Sequence, residues 1–357
     1  MFPRVNIYLG KLKENLDILV KLCHEQGIMA AIVTKVFCAD EHIVSVIEGS
    51  DADMIADSRT INFEGMNTNK PRLLLRIGMQ SEAERIVSLS DISMQSEAST
   101  IQKLNEAAAR QSLRHKVILM IDMGDLREGI YNTDTARIMD TAHLINDCSN
   151  LELYGVGVNL TCYGGVLPDE FNLGGLVAIK REIEKELGID IPVVSGGNSS
   201  TMGLLLAHSV PEGINHLRLG ESFVLGNDTA TGKPVPILNT DCFVLEAEIV
   251  ELQEKPSKPV GKQGPNAFGE YPEYPDRGIM RRAILGIGRQ DVSVDGLSTV
   301  DPNVEVIGAS SDHLIVNLTE CGGRYKVGDT IKFIPDYGAL LHLFTSKYVD
   351  RHYIDLK

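Results

Sequence analysis

Ala30-Ala-Ile-Val-Thr-Lys-Val-Phe-Cys-Ala-Asp40 is the stretch on which the fold turns. Small and β-branched apolar residues run up to Thr34, which is the composition of a buried strand. The run then closes on Lys35. An ammonium is costly to bury, so a lysine here either sits at a solvated rim or is held for its chemistry. Polar turn residues follow, and then the amphipathic pattern Glu41–Glu48, so the segment has the form of a strand feeding a helix.

The same alternation repeats on both sides. Apolar runs suited to parallel strands occur at Met29–Val33, Asp53–Ala56, Arg72–Ile77, Val117–Asp122, Leu153–Val158, Ile191–Val194 and His216–Leu219. Amphipathic stretches lie between them at Leu12–Gln26, Glu41–Glu48, Ser81–Leu89, Thr100–Gln111, Thr135–Asn146, Phe171–Leu187 and Thr201–His208. Successive right-handed β-α-β units of this number predict a TIM-like (β/α)8 barrel. No G-x-G-x-x-G follows the first strand, which disfavours a dinucleotide fold.

Beyond about Gly232 the pattern shortens. Cys242–Glu251 alternates like a strand, Lys255–Gly278 is a loop rich in Pro and Gly, and short β segments follow at Ile284–Ile287, Val304–Ile307, His313–Leu318 and Thr330–Ile334. The expectation is a barrel over residues 1–235 and a small all-β domain over 236–357.

Composition narrows the function. The 357 residues carry a formal net charge of -15, no Trp and only 5% aromatics, which argues against nucleic acid as a partner. Cys23, Cys38, Cys148, Cys162, Cys242 and Cys321 include no C-x-x-C pair and read as free thiols of a reducing cytoplasm. The N-terminal MFPRVNIYLG lacks the pattern of a signal peptide, and no apolar run approaches the roughly 20 residues of a membrane span. No thiol stands at ligand spacing from His342 or His352, and no metal is expected.

A barrel places its active site at the carboxyl ends of the strands. Those ends carry Lys35, then Gly124-Asp-Leu-Arg127-Glu-Gly, Asn159-Leu-Thr-Cys162-Tyr163-Gly-Gly, Ser195-Gly-Gly-Asn-Ser-Ser-Thr201 and Arg218-Leu-Gly220-Glu-Ser222. Two readings of Ser195–Thr201 stand side by side, a capped strand-to-helix turn and a phosphate cradle. The adjacent Gly220 turn favours the cradle, because barrel phosphate sites use neighbouring late loops. A phosphate pocket facing a strand-end lysine points to pyridoxal 5′-phosphate, whose aldehyde a desolvated lysine amine can take up.

These residues resemble the alanine racemase family, and the resemblance runs over nearly the whole chain. Lys35 matches the family's Schiff-base lysine, and Asp122-Met-Gly-Asp-Leu-Arg127-Glu-Gly matches its D-x-G-x-x-R-x-G. Asn198-Ser199 falls at its phosphate-binding Asn-Ser, and Arg218-Leu-Gly220 at its R-x-G. Ile307-Gly-Ala-Ser-Ser-Asp312-His resembles G-R-x-S-M-D-Q, and Val327-Gly-Asp the V-G-D turn. The resemblance implies a pyridoxal-phosphate enzyme with a C-terminal β domain. Lys35, Arg127, Asn159, Asn198, Ser199, Arg218, Gly220 and Glu221 would then bind the cofactor. It also implies a head-to-tail homodimer in which the partner's β domain covers the barrel mouth, with Lys255–Gly278 as a cover.

Departures from the family are informative. Ala39 stands where a phosphate-binding tyrosine is usual, and Asn159 replaces a stacking histidine. Gly288-Arg289-Gln-Asp291 places arginine where the family has its second catalytic tyrosine. Arginine cannot accept a proton at neutral pH, so the base opposite Lys35 must be another group. The candidates are His313, Cys162 and Tyr163, which otherwise read as a strand-end surface residue, a small filler and a packing aromatic. Thr34–Asp40 together with Met123–Gly129 resembles the ornithine racemase branch, implying interconversion of L- and D-ornithine. Asp125, Glu128 and Asp312 are then candidates for holding the cationic side chain, although Asp125 also reads as a turn cap and Asp312 as a dimer-interface residue. The alternatives are racemisation of lysine, alanine or serine, a D-amino-acid aldolase or dehydratase, a decarboxylase, and a single-barrel cofactor carrier.

Overall fold

A computed structural model describes residues 1–271 and 273–355. The chain divides into two compact units, Leu9–Thr240 and Met1–Tyr8 with Asp241–Lys357.

The first unit is the barrel. Its strands are Met29–Val33, Met54–Asp57, Arg72–Leu74, Ile92–Gln95, His115–Asp122, Leu151–Gly157, Val193–Ser195 and His216–Leu219. Each pairs in parallel with the next, and the last returns to the first through His216↔Met29 and Arg218↔Ala31, which closes the cylinder. Period-two alternation sorts the side chains. Ala31, Val33, Met54, Ala56, Ile118 and Met120 fill the interior. Val117, Leu119 and Ile121 from the same strand face the helices with Leu104, Ile138 and Leu176. Burial on both faces explains the nearly unbroken apolar runs.

The strand Ile92–Gln95 was not anticipated, because Ser93 and Gln95 interrupt its apolar pattern. Both are fully buried and are satisfied internally. Gln95 Nε2 donates to Ser93 Oγ at 3.0 Å, and His115 Nε2 on the neighbouring strand lies 2.8 Å from the same hydroxyl. The Arg127 loop therefore follows the fifth barrel strand and not the fourth.

The second unit is an antiparallel sheet in the order Leu297–Thr299, Thr330–Pro335, Phe243–Pro256, Ile279–Leu285, Leu314–Asn317, Glu305–Ala309. The N-terminal strand Arg4–Tyr8, expected within the barrel segment, belongs here. It pairs antiparallel with Phe243–Pro256 and parallel with Asp350–Ile354. Arg4 and Lys332 flank the buried Glu246 at 2.7 and 3.2 Å, which accounts for a carboxylate at that strand position. The helix Tyr337–Thr345, capped by Asp336 through Ala339 N, is a further element absent from the sequence reading.

Candidate active site

Lys35 leaves its strand in a single 3₁₀ turn, Lys35–Phe37. Thr34 anchors that turn to the neighbouring strand. Its N–H donates to Ala56 O at 2.8 Å, and its hydroxyl donates to Asp57 Oδ2 at 2.6 Å. Cys38 and Ala39 then take left-handed conformations, with φ of 49° and 52°, before Asp40 caps the helix Glu41–Glu48. Lys35 is half-buried. Burial pushes its amine below the ordinary 10.5, and Arg127 pushes the same way, while Cys162, Asp57 and Glu128 oppose the shift.

The loop Asp122–Gly129 carries Arg127. Asp122 Oδ1 accepts from Gly124 N at 2.8 Å and Leu126 N at 3.1 Å, folding the loop on its own strand end. Gly129 has φ +121°, and a Cβ there would meet Asp122 N at 2.5 Å, so both geometry and space require glycine. Arg127 is exposed and makes a bidentate ion pair with Glu128 through Nε and Nη2.

Asp125, a candidate for the substrate pocket that also reads as a turn cap, accepts from four backbone N–H groups. Its Oδ1 accepts from Thr161 N and Val166 N at 3.0 and 3.1 Å. Its Oδ2 accepts from Cys162 N and Tyr163 N at 3.1 and 2.9 Å. The residue is fully buried, and the carboxylate is consumed in shaping the Thr161–Val166 loop. Burial raises its proton affinity, but the four N–H donors outweigh this and hold it below the ordinary 3.8.

Across the mouth, Arg218 is 4% exposed. Its Nη1 donates to Ser195 Oγ, and its Nη2 donates to Val158 O at 2.7 Å. His216 Nδ1 lies 2.8 Å from the same serine hydroxyl. His216 and Arg218 are two residues apart and share one face of the strand. Burial, with the Arg218 charge, pushes His216 down to about 3, and burial takes Arg218 itself down to about 10.

The two late loops are tied through Ser199. Its Oγ accepts from Gly220 N at 3.2 Å and Ser222 N at 3.1 Å, and it lies 3.0 Å from Ser222 Oγ. Asn198 bridges to the preceding loop, donating to Asn159 Oδ1 at 3.2 Å, Leu160 O at 2.9 Å and Cys162 Sγ at 3.5 Å. Glu221 Oε2 accepts from Thr229 Oγ1 at 3.5 Å.

Among the described residues, Asn159 Nδ2 and Ser200 Oγ are buried without a hydrogen-bond partner. Buried donors are normally satisfied, so two orphans on adjacent strand-end loops call for an acceptor-rich group. A phosphate with a polar ring meets that requirement beside two guanidiniums and an amine. Pyridoxal phosphate therefore fits the donor set.

Of the predicted residues, Lys35, Arg127, Glu128, Asn159, Cys162, Asn198, Ser199, Arg218 and Gly220 gather at the strand ends of the barrel. Tyr163 follows Cys162 on the same loop, but its side chain is 76% exposed. Asp312 and His313 belong to the other unit, at an exposed hairpin tip where Ser310 N donates to His313 O at 2.8 Å. Arg289, in that same unit, pairs with Glu270 at 3.2 Å and stacks over Phe268. The sequence reading missed Asp57, Ser200 and His216. For Asp57 the available signal was a carboxylate ending an apolar strand, as Lys35 ends its neighbour.

The arrangement is a (β/α)8 barrel whose strand ends gather a lysine, two arginines and donor-rich loops that fit a phosphate-bearing group. The model of the alanine racemase N-terminal domain matches residues 7–228, and the chain belongs to the alanine racemase family. It is 44% identical over 352 residues to an ornithine racemase of Acetoanaerobium sticklandii, covering 98% of this chain and 99% of that protein. It is 36% identical over 356 residues to a lysine racemase of Thermotoga maritima, covering 99% of each. An alanine racemase from Bartonella henselae, solved with covalently bound pyridoxal phosphate, shares the fold at a TM-score of 0.71 and 16% identity, covering 98% of this chain and 99% of that one.

Proposed function

We propose that this protein is a pyridoxal-phosphate-dependent racemase of basic amino acids that interconverts L- and D-ornithine. The observation that carries the reading is the half-buried Lys35 amine, lowered in proton affinity beside Arg127 and the phosphate-ready loops. The 44% identity to an ornithine racemase and the 36% identity to a lysine racemase support a basic substrate.

When bound, pyridoxal phosphate supplies an aldehyde that joins amines and a ring that withdraws electrons from the α-carbon. Asn198, Ser199, Ser200 and the Gly220 turn would hold its phosphate, with Asn159 and Glu221 nearby. Arg127 would lie at its phenolate and Arg218 at its ring nitrogen. Arg218 only donates, and its bonds to Ser195 and Val158 fix where it donates. Lys35 Nζ, depressed by burial, would take the α-proton of one enantiomer on its own face. It would deliver a proton to that face when the other enantiomer reacts, a second group doing the converse on the opposite face.

For the opposite face we favour Cys162. It stands at a barrel strand end with Lys35, Arg127 and Arg218, and its Sγ accepts from the Asn198 amide at 3.5 Å. Tyr163 is 76% exposed, which leaves Cys162 as the better held of the two side chains on that loop. Glu128 is our choice for the ω-ammonium of the substrate. A carboxylate offers about four lone-pair sites, so pairing with Arg127 leaves capacity for a second cation. We extend the proposal to a homodimer, as the family resemblance implies, in the reducing cytoplasm that the scattered cysteines suggest.

The test is to incubate the holoenzyme with L-ornithine, L-lysine and L-alanine separately and follow loss of optical activity. Ornithine is expected to racemise fastest, and Lys35→Ala to abolish the reaction. Release of carbon dioxide or ammonia in place of racemisation would overturn the reading.

A further inference from the structure

Asp57 has no role in the scheme above, yet it sits one hydrogen bond from the residue preceding Lys35. It is the last residue of Met54–Asp57 and is 0% exposed. One carboxylate oxygen accepts from Thr34 Oγ1 at 2.6 Å, and the other from Asn62 Nδ2 and Arg59 N at 2.9 Å each. Burial pushes its proton affinity up against these donors. A wholly buried carboxylate held by hydroxyl, amide and backbone donors is an expensive way to fill space, since an apolar residue of similar size would avoid the desolvation.

The charge has an address. Asp57 raises the proton affinity of Lys35, as Cys162 and Glu128 do, while Arg127 lowers it. The hydroxyl link has a second consequence. Thr34 O accepts from Phe37 N and Ala39 N, both at 3.2 Å, so Thr34 is the hub of the turn that presents the lysine.

We propose that Asp57 is a positioning residue for Lys35: through Thr34 it locks the lysine-bearing turn to the adjacent strand, and it sets a buried carboxylate against the base of that turn. The inference rests on the reading of Lys35 as the reactive amine. Its test uses the cofactor-free full chain as well as the loaded enzyme. The protein is reductively methylated with ¹³C-formaldehyde, and dimethylated Lys35 is assigned by its loss in Lys35→Ala. Its titration is then followed by NMR.

Asp57→Asn is expected to move the Lys35 titration to lower pH, as removal of an opposite charge does. Thr34→Val keeps the charge and unlocks the turn, so kcat for ornithine falls about tenfold with KM little changed, the loss of one buried hydrogen bond of about 1.4 kcal/mol. Thr34→Ser restores the hydroxyl and the rate. An unmoved Lys35 titration in folded Asp57→Asn overturns the proposal. If that variant does not fold, equal kcat in Thr34→Val and Thr34→Ser overturns it. A shifted titration in a protein that fails to racemise any amino acid leaves the Asp57 assignment standing and refutes the racemase reading instead.

Discussion

Asp125→Asn separates a loop-building carboxylate from a substrate-binding one. In the wild type, four backbone N–H groups of Thr161, Cys162, Tyr163 and Val166 converge on its two oxygens at 2.9 to 3.1 Å. Asparagine keeps one acceptor oxygen, so two of the four N–H groups would face an NH₂ donor. A hydrogen bond to a charged group contributes about 1.5–3 kcal/mol, and a neutral one about 0.5–1.5 kcal/mol. Losing the two charged bonds alone lowers the local stability of the loop by about 3–6 kcal/mol, where about 1.4 kcal/mol is tenfold. Taking the lower end, amide hydrogen exchange across Thr161–Val166 should accelerate at least about 100-fold. The helix Thr135–Asp147 serves as the internal control.

The pH dependence has a definite sign. A carboxyl held below its ordinary 3.8 stabilises the folded loop above that pH, and the stabilisation is lost as pH falls through the depressed value. Protection of these amides in the wild type should therefore persist at pH 4 and fade only in stronger acid. Exchange in Asp125→Asn within threefold of the wild type would refute the reasoning, as would a loss confined to ornithine affinity with the loop unchanged.

Glu128→Gln should lower kcat/KM for ornithine about tenfold to hundredfold while leaving alanine turnover nearly unchanged, measured side by side on the two substrates. Cys162→Ala should suppress α-deuterium exchange from one enantiomer more than from the other, and equal loss from both would remove it from the opposite face. Ser199→Ala leaves Gly220 N and Ser222 N without their shared acceptor, and cofactor affinity read by fluorescence titration should fall about tenfold. His115 and His216 are pushed by burial from 6.5 to about 4 and about 3. The unfolded chain binds their protons first as pH drops below 6.5. Each histidine should therefore subtract about 1.4 kcal/mol of stability per pH unit down to its folded value. A urea midpoint that stays flat from pH 6.5 to 5 would contradict this.

Much of the barrel was legible because parallel strands buried on two faces announce themselves as apolar runs. Met29–Val33, Glu41–Glu48 and His216–Leu219 fall within the bounds expected of them. Ile92–Gln95 escaped because Ser93 is polar in sequence yet satisfied by His115, more than twenty residues away. Arg4–Tyr8 was missed as a strand and placed in the barrel segment, because nothing local says which sheet takes it. Its partners Phe243–Pro256 and Asp350–Ile354 lie near the other end of the chain.

The site divides along the same line. Lys35, Arg127 and Arg218 could be read in sequence, since each stands in a short motif whose geometry is local. Asp122 folds its own loop and Gly129 permits the turn, both within eight residues. The acidic residues could not be sorted that way. Asp125 and Glu128 stand three positions apart with the same charge, yet one is buried under four N–H groups from a loop some forty residues on, and the other faces Arg127 at the mouth. Asp57 became visible only when two strands were laid side by side. Residue type and spacing determined which chemistry the chain carries. Which carboxylate is taken up by a distant loop and which is buried against Thr34 of the neighbouring strand was decided by tertiary contact, because hydrogen-bond satisfaction and burial are properties of neighbours in space.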